Sequence, residues 1–261
     1  MTALPSDRKL AQVVKGTNHL MSSASYAPQF RVLVAWAIHA LTASGAVLAF
    51  LSVLAVEQQR WRLALLWLGA ALIVDGIDGP LARRAGVTRW TPGIDGTTLD
   101  LVVDYVRYVF VPAVLIYRTA LLPPSYEVVA IAAILLSSLY TFARTDMKTD
   151  DNFFRGFPAL WNIIAFYLFM LQPGQLVGII VVGLFSVLTF APIYFVHPVR
   201  ADSYQPWCGA AAVLWGLGSF ALLSPNWSPT WIHIWLALSL TGAVALLGIG
   251  VVRTLRGPTA T

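Results

Sequence analysis

The chain has 261 residues, of which 58% are hydrophobic and only 11% charged, and its formal net charge is +5. Soluble domains carry about 25% charged residues, so this composition excludes a water-soluble globular protein and indicates an integral membrane protein. The basic residues are scattered between apolar segments, which argues against nucleic acid as a partner and suits an anionic membrane surface.

Residues 1–30 contain no continuous apolar core, so no cleavable signal peptide is expected. Leu10, Val13 and Val14 alternate there with Arg8, Lys9 and Lys15. This N-terminal segment reads either as an amphipathic helix on the membrane surface or as a flexible tail. Residues 31–261 read as one transmembrane domain. A spanning helix needs about 20 mostly apolar residues. Such stretches lie at 32–55, 62–82, 97–120, 127–144, 157–172, 175–197, 207–223 and 231–252. The expected fold is all-α and polytopic, with about eight transmembrane helices, or seven if the short fifth stretch is re-entrant. The single Cys208 excludes an internal disulfide.

Charge sets the expected orientation. With both ends on one side, that side carries thirteen basic residues: Arg8, Lys9, Lys15, Arg31, Arg83, Arg84, Arg89, Arg144, Lys148, Arg155, Arg200, Arg253 and Arg256. The other side carries three, Arg60, Arg62 and Arg118. Both termini are therefore expected in the cytoplasm.

Four carboxylates interrupt the second and third apolar stretches: Asp75, Asp78, Asp100 and Asp104. An ionised carboxylate at mid-bilayer costs roughly 2.5–3.5 kcal/mol, so four uncompensated ones would cost on the order of 10 kcal/mol. Bound divalent metal is the expected compensation. Positions three and four apart share a helix face. Asp75, Asp78, Gly79, Ala82 and Arg83 form one stripe, and Gly96, Asp100, Asp104 and Tyr108 form the next. Antiparallel packing of the two would converge the carboxylates, a ligand set for a hard cation. The other reading of these residues is that they only cap helix ends in a solvated loop. Arg107, one turn past Asp104, either balances the carboxylates or lines the site. His19, His39, His197 and His233 show no metal-ligand spacing.

The pattern Asp75-x-x-Asp78-Gly79-x-x-Ala82-Arg83, followed by Gly96-x-x-x-Asp100-x-x-x-Asp104, resembles the signature of the CDP-alcohol phosphotransferases. Weaker likenesses lie at His39–Gly45 and Phe153–Pro158. The spacer of twelve residues, Arg84 to Asp95, is longer than in most of the family and resembles the branch of bacterial phosphatidylcholine synthases. The resemblance implies a bacterial inner-membrane enzyme with a cytoplasmic site, forming homodimers. It would join choline to the phosphatidyl group of CDP-diacylglycerol and release CMP. It also implies Mn2+ or Mg2+ held by Asp75, Asp78, Asp100 and Asp104, with Asp104 as the catalytic base or as an orienting group beside a metal. Asp78, Gly79, Ala82, Arg83 and Gly96 would line the CDP pocket, with Thr42 nearby.

Choline is a quaternary ammonium, which is commonly held over aromatic faces. The candidates are Trp90, Tyr105, Tyr108, Trp161, Tyr194, Phe195, Tyr204 and Trp207, with Tyr108 and then Tyr194 preferred. Interfacial aromatic belts are the competing explanation for any one of these. Within the family, the acceptor could instead be serine, glycerol phosphate or an inositol, with Arg144, Lys148 and Arg155 meeting a phosphate. Outside it, an ion-coupled transporter would use the carboxylates as a relay, but no internal repeat is visible.

Overall fold

The structure, a computed structural model, describes the backbone of residues 7–197 and 204–257, and the side chains of 28–197, 204 and 206–257. Helix α1 (Asp7–Glu57) turns at 58–60 into α2 (Trp61–Ala85), which packs back antiparallel against α1. The Ser52 hydroxyl donates to the Ala64 carbonyl at 2.9 Å, tying the pair near its turn. The surface-lying or flexible character expected for residues 1–30 depends on side chains outside the described residues. The backbone from Asp7 onward is one helix continuous with the first span.

A one-turn helix, α3 (Val87–Trp90), docks on α1 and leads to α4 (Gly96–Tyr105). Residues Val106–Phe110 widen into π-helix before α5 (Val111–Arg118), so the third stretch is one rod with a bulge in its middle. The buried core lies beside this rod, where Val109, Leu115 and Ile116 meet Ile134 of α6 (Glu127–Ala143) and Trp161 of α7 (Trp161–Leu171). The Trp161 indole N–H donates to Ser138 Oγ at 2.8 Å, which satisfies its polar atom inside that core.

The expected sixth span, 175–197, needs correction. Helix α8 (Gln175–Leu188) stops short, and Tyr194–Val196 forms strand β2. It pairs antiparallel with β1 (Phe153–Arg155), with Phe154 opposite Phe195. Pro192 disfavours helix at the residue before it, and the two-stranded ribbon recovers the lost backbone hydrogen bonds. Gly156 makes the return possible. Its φ is +77°, and a Cβ there would lie 2.2 Å from the Thr189 carbonyl oxygen. The fifth stretch also begins later than expected, at Trp161 instead of 157. At 1.5 Å per residue, α7 and α8 are too short to cross a core of about 30 Å singly.

Helices α9 (Gln205–Leu222) and α10 (Pro229–Arg256) form a second tight antiparallel pair. Among the described residues, three segments are long and apolar enough to cross a membrane by length and composition: Pro28–Glu57, Trp61–Ala85 and Pro229–Arg256. Leu33, Phe50, Ile73, Val128, Ile180 and Val244 all point outward. Large apolar side chains on the outside are the surface a bilayer solvates. The protein is an all-α polytopic membrane protein.

Candidate active site

The site forms between the C-terminal half of α2 and α4; α4 packs chiefly on α1, and α2 meets the same rod at its π-helical segment. Helix α2 carries Asp75, Asp78, Gly79 and Ala82 on one stripe and contains Pro80, which cannot donate to the Gly76 carbonyl. The helix ends at Gly86 (φ 62°), whose N–H reaches the Ala82 and Arg83 carbonyls. Arg83 and Arg84 occupy the last turn, where cations complement the helix dipole. Helix α4 starts from Asp95, whose Oδ1 accepts from the Thr97 and Thr98 N–H groups at 3.0 and 3.2 Å. The Thr98 hydroxyl adds a bond to Oδ2 at 2.7 Å and holds this carboxyl below the usual carboxylate range. Asp95 is thus an N-cap, and the acidic stripe of α4 starts one residue later.

Packing brings three of the four expected ligands together. Asp75, Asp78 and Asp100 each offer an oxygen, and these atoms all lie within 4.8 Å of one another. Oxygens on opposite sides of one Mg2+ at about 2.1 Å are about 4.2 Å apart, so a small side-chain rotation closes the trio on one ion. Asp78 is buried, and its Oδ2 has no hydrogen-bond partner; Asp100 Oδ1 is also buried and accepts no hydrogen bond, with Arg107 Nη2 3.8 Å away. Unmet buried carboxylate oxygens are costly, and a cation held among the three carboxylates would satisfy them. Asp100 is 44% exposed and Asp75 29%, whereas the Arg107 side chain is wholly buried. The cluster therefore opens beside Asp100 and is closed below by Arg107.

The fourth carboxylate, Asp104, is drawn to Arg107 instead. Arg107 Nη2 donates to both Asp104 Oδ1 and Asp75 Oδ1, and lies 3.8 Å from Asp100 Oδ1. Its Nη1 donates to the Ala71 carbonyl at 3.2 Å. Sequence reasoning left the role of Arg107 open. The only signal was its spacing from Asp104, and nothing announced the π-bulge that carries it. Gly45 of α1 makes room, since a Cβ there would sit 3.0 Å from Arg107 Nη1 and 2.8 Å from Val103 Cγ1.

The expected nucleotide-pocket residues fall around this cluster. Thr42 is buried on α1 and its hydroxyl donates to the Ile38 carbonyl at 3.3 Å. Gly79 and Ala82 are half-buried and Arg83 is exposed on the same stripe of α2. Gly96 faces α1, where its missing Cβ leaves space for His39, 3.2 Å away at Cε1. His39 in turn bonds Thr91 at 2.9 Å, tying the spacer to α1.

The aromatic candidates divide sharply. Tyr108 is buried in the cluster and its hydroxyl donates to Asp75 Oδ2 at 2.8 Å. One face of its ring already holds Arg107, 4.9 Å from the centroid. Tyr194 sits in β2 and holds the Arg253 guanidinium at 4.3 Å. Trp161 is a core residue, Tyr105 donates to the Leu135 carbonyl, and Trp90 lies between Arg31 and Arg89. Phe195 packs on Phe157, Tyr204 on Phe153, and Trp207 is exposed.

Lys148, in the loop ahead of β1, acts electrostatically on Asp100. Arg144 and Arg155 both engage Asp146, at 2.8 and 3.4 Å, and the Arg144 bonds hold that carboxyl below its ordinary range.

The sequence profile of the CDP-alcohol phosphatidyltransferases matches residues 33–193, which run from within α1 to just beyond α8 and so include every part of this cluster. This chain belongs to the CDP-alcohol phosphatidyltransferase family. Among curated relatives, it is 42% identical over 207 residues to the phosphatidylcholine synthase of Pseudomonas aeruginosa, covering 78% of this chain and 87% of that one. It is 44% identical over 196 residues to that of Mesorhizobium japonicum, covering 75% and 72%. It is 40% identical over 238 residues to that of Brucella melitensis, covering 90% and 84%. In this phosphatidyltransferase, the residues that carry the family signature lie on α2 and α4, and their carboxylates Asp75, Asp78 and Asp100 converge.

Proposed function

We propose that this phosphatidyltransferase is a phosphatidylcholine synthase, joining choline to the phosphatidyl group of CDP-diacylglycerol and releasing CMP. The observation that carries the reading is the trio Asp75, Asp78 and Asp100 in a chain 40–44% identical to three phosphatidylcholine synthases. Asp75, Asp78 and Asp100 would hold Mn2+ or Mg2+. When bound, the cation neutralises charge on the diphosphate and on the departing CMP.

The chain's own residues do the rest. Arg107 holds Asp104 Oδ1, and Asp104 Oδ2 accepts the hydroxyl proton of choline. The choline oxygen forms a bond to the phosphorus that carries diacylglycerol, and the bond from that phosphorus to CMP breaks. Gly79 and Ala82 let the nucleotide approach the α2 backbone, with Asp78, Gly96 and Thr42 around it and Arg83 meeting its phosphates. Four carboxylates against one buried arginine leave the cluster anionic, which attracts both the metal and a cationic acceptor. An apolar groove of about 270 Å³, lined by Phe110, Tyr117, Val128, Ile131 and Leu135, starts two residues beyond Tyr108 and suits an acyl chain. The site and both termini face the cytoplasm of a bacterial inner membrane, and the chain works as a homodimer.

Arginines occupy one ring face each of Tyr108 and Tyr194, so a choline pocket that includes these residues would use their other faces. Acceptors bearing a phosphate would need basic groups for it, and the engagement of Arg144 and Arg155 by Asp146 disfavours them.

The test is CMP release by the purified protein in lipid, with CDP-diacylglycerol, Mn2+ and choline, serine, glycerol phosphate or inositol in turn. Choline alone is expected to give product. Release with serine and none with choline would contradict the assignment. Cation uptake by vesicles lacking the lipid nucleotide would support a transporter instead.

A further inference from the structure

We propose, resting on the phosphatidyltransferase reading above, that His39 is a positioning residue: its imidazole fixes the start of α4 on α1 and so sets Asp100 against Asp75 and Asp78. The two acidic stripes lie on different helices, joined by the spacer Gly86–Asp95. Such a spacer keeps the stripes in register only if it is itself held, and α1 holds it. Val87 packs on Ala35 and Ile38, and the His39 ring meets both ends of the segment that leads into α4. His39 Nε2 lies 2.9 Å from Thr91 Oγ1, and both residues are buried. The Thr91 hydroxyl donates to the Val87 carbonyl at 3.1 Å, so it accepts from His39, whose Nε2 carries the proton. Five residues on, a Cβ at Gly96 would lie 3.2 Å from the adjoining ring carbon, Cε1. Gly96 is the first residue of α4, and without a Cβ it rests directly on the imidazole edge. One ring thus locates Thr91 and Gly96 together, and Asp100 follows Gly96 on the same helix face.

The residues that follow His39 on α1 meet other parts of the same site. Thr42, three residues on, is close enough to act on Asp78 of α2. Gly45, three further, lies where a Cβ would press on Val103 and Arg107 of the third rod. The stretch His39–Gly45 is therefore the surface on which both acidic helices are aligned, and His39 is its polar tie to the spacer. Little slack is available. The carboxylate oxygens already lie up to 4.8 Å apart, and a displacement of about 1 Å can cost a site about 100-fold.

The test reads Mn2+ affinity by electron paramagnetic resonance on the purified full chain, without substrate, and then choline-dependent CMP release at limiting and at saturating Mn2+. His39→Phe keeps a ring and removes the donor, and Thr91→Val removes its partner. Each is expected to weaken Mn2+ binding about tenfold, the low end for residues that orient metal ligands. The double variant should lose no more than either alone, because both changes remove one bond. His39→Gln keeps an N–H donor and should stay within about threefold of wild type. CMP release by His39→Phe should fall at limiting Mn2+ and return to within about threefold of wild type once Mn2+ saturates. Wild-type Mn2+ affinity in His39→Phe, whatever its melting temperature, would overturn the proposal, because a merely structural histidine gives that result. Turnover that stays low at saturating Mn2+, with affinity unchanged, would also overturn it and mark His39 as a direct participant. If His39→Phe does not fold, wild-type Mn2+ affinity in Thr91→Val overturns it alone. Wild-type protein that binds no Mn2+ would overturn the metal reading itself, a result distinct from Mn2+ binding that His39 does not influence.

Discussion

Replacing Asp78 by Asn separates a metal ligand from a structural carboxylate by the sign of its effect on stability. Asp78 is 3% exposed, and its Oδ2 is buried without a hydrogen-bond partner. In metal-free protein that oxygen is a liability. An unsatisfied buried polar group costs about 1–3 kcal/mol, and more if charged, so the isosteric amide should raise the melting temperature in chelator. With metal the sign reverses. One unit charge near 4 Å is worth about 4 kcal/mol at an effective dielectric of about 20, which corresponds to about a thousandfold in metal affinity. Stabilisation by ligand follows RT ln(1 + [L]/Kd). An Mn2+ concentration about 1,000 times the wild-type Kd therefore adds about 4 kcal/mol to wild type, but less than about 0.5 kcal/mol to the variant. Thermal melts in detergent, with chelator and across an Mn2+ series, read both quantities. A variant that melts lower than wild type in chelator, yet gains the full Mn2+ shift, would refute the reasoning.

Tyr108→Phe removes the hydrogen bond to Asp75 at 2.8 Å; groups that orient a metal ligand are worth about 10–100-fold in metal affinity, so the Mn2+ titration should shift by that much. Gly45→Val forces a side chain into Val103 and Arg107. Overpacking of this kind costs about 1–3 kcal/mol, visible as a lower melting temperature, and displaced Arg107 should lower CMP release with it. Arg253→Met strands Asp151, its partner at 2.6 Å in a pair that is 6% and 12% exposed. Breaking one side of a buried pair costs about 3–5 kcal/mol, and faster proteolysis of the 144–156 connection would report the loss. The same pair gives a pH dependence. Burial pushes Asp151 up, but hydrogen bonds from Arg253 and Thr149 outweigh it and hold the carboxyl below its ordinary value of 3.8. Its contribution to stability is present above that value and is lost as pH falls through the lower folded value.

The membrane class is legible in composition, and the helices are legible where apolar runs are long. The convergence of Asp75, Asp78 and Asp100 is legible because period-3.6 spacing on two adjacent helices leaves few other geometries. The end of the sixth stretch is not. Residues 189–197 are as apolar as a span, and hydropathy does not distinguish a lipid-facing helix from a strand pinned under α10, where the Tyr194 N–H donates to Thr254 Oγ1 at 2.9 Å. Aromatic residues near the site are equally opaque. Sequence places Tyr108 on the right face, but only tertiary packing reveals that Arg107 already covers its ring. Arg107 itself shows how a tertiary pair across two helices, 32 residues apart in the chain, leaves only a spacing as its trace.

The central claim is that carboxylates of α2 and α4 hold a divalent cation on which phosphatidyl transfer to choline depends. The most direct measurement is choline-dependent CMP release by chelator-stripped protein in lipid, followed through an Mn2+ titration, with Asp104→Asn alongside. Wild type should be silent when stripped and recover with Mn2+, while Asp104→Asn should bind Mn2+ and CDP-diacylglycerol yet lose nearly all turnover. Full turnover after exhaustive chelation, or wild-type turnover in Asp104→Asn, would contradict the account.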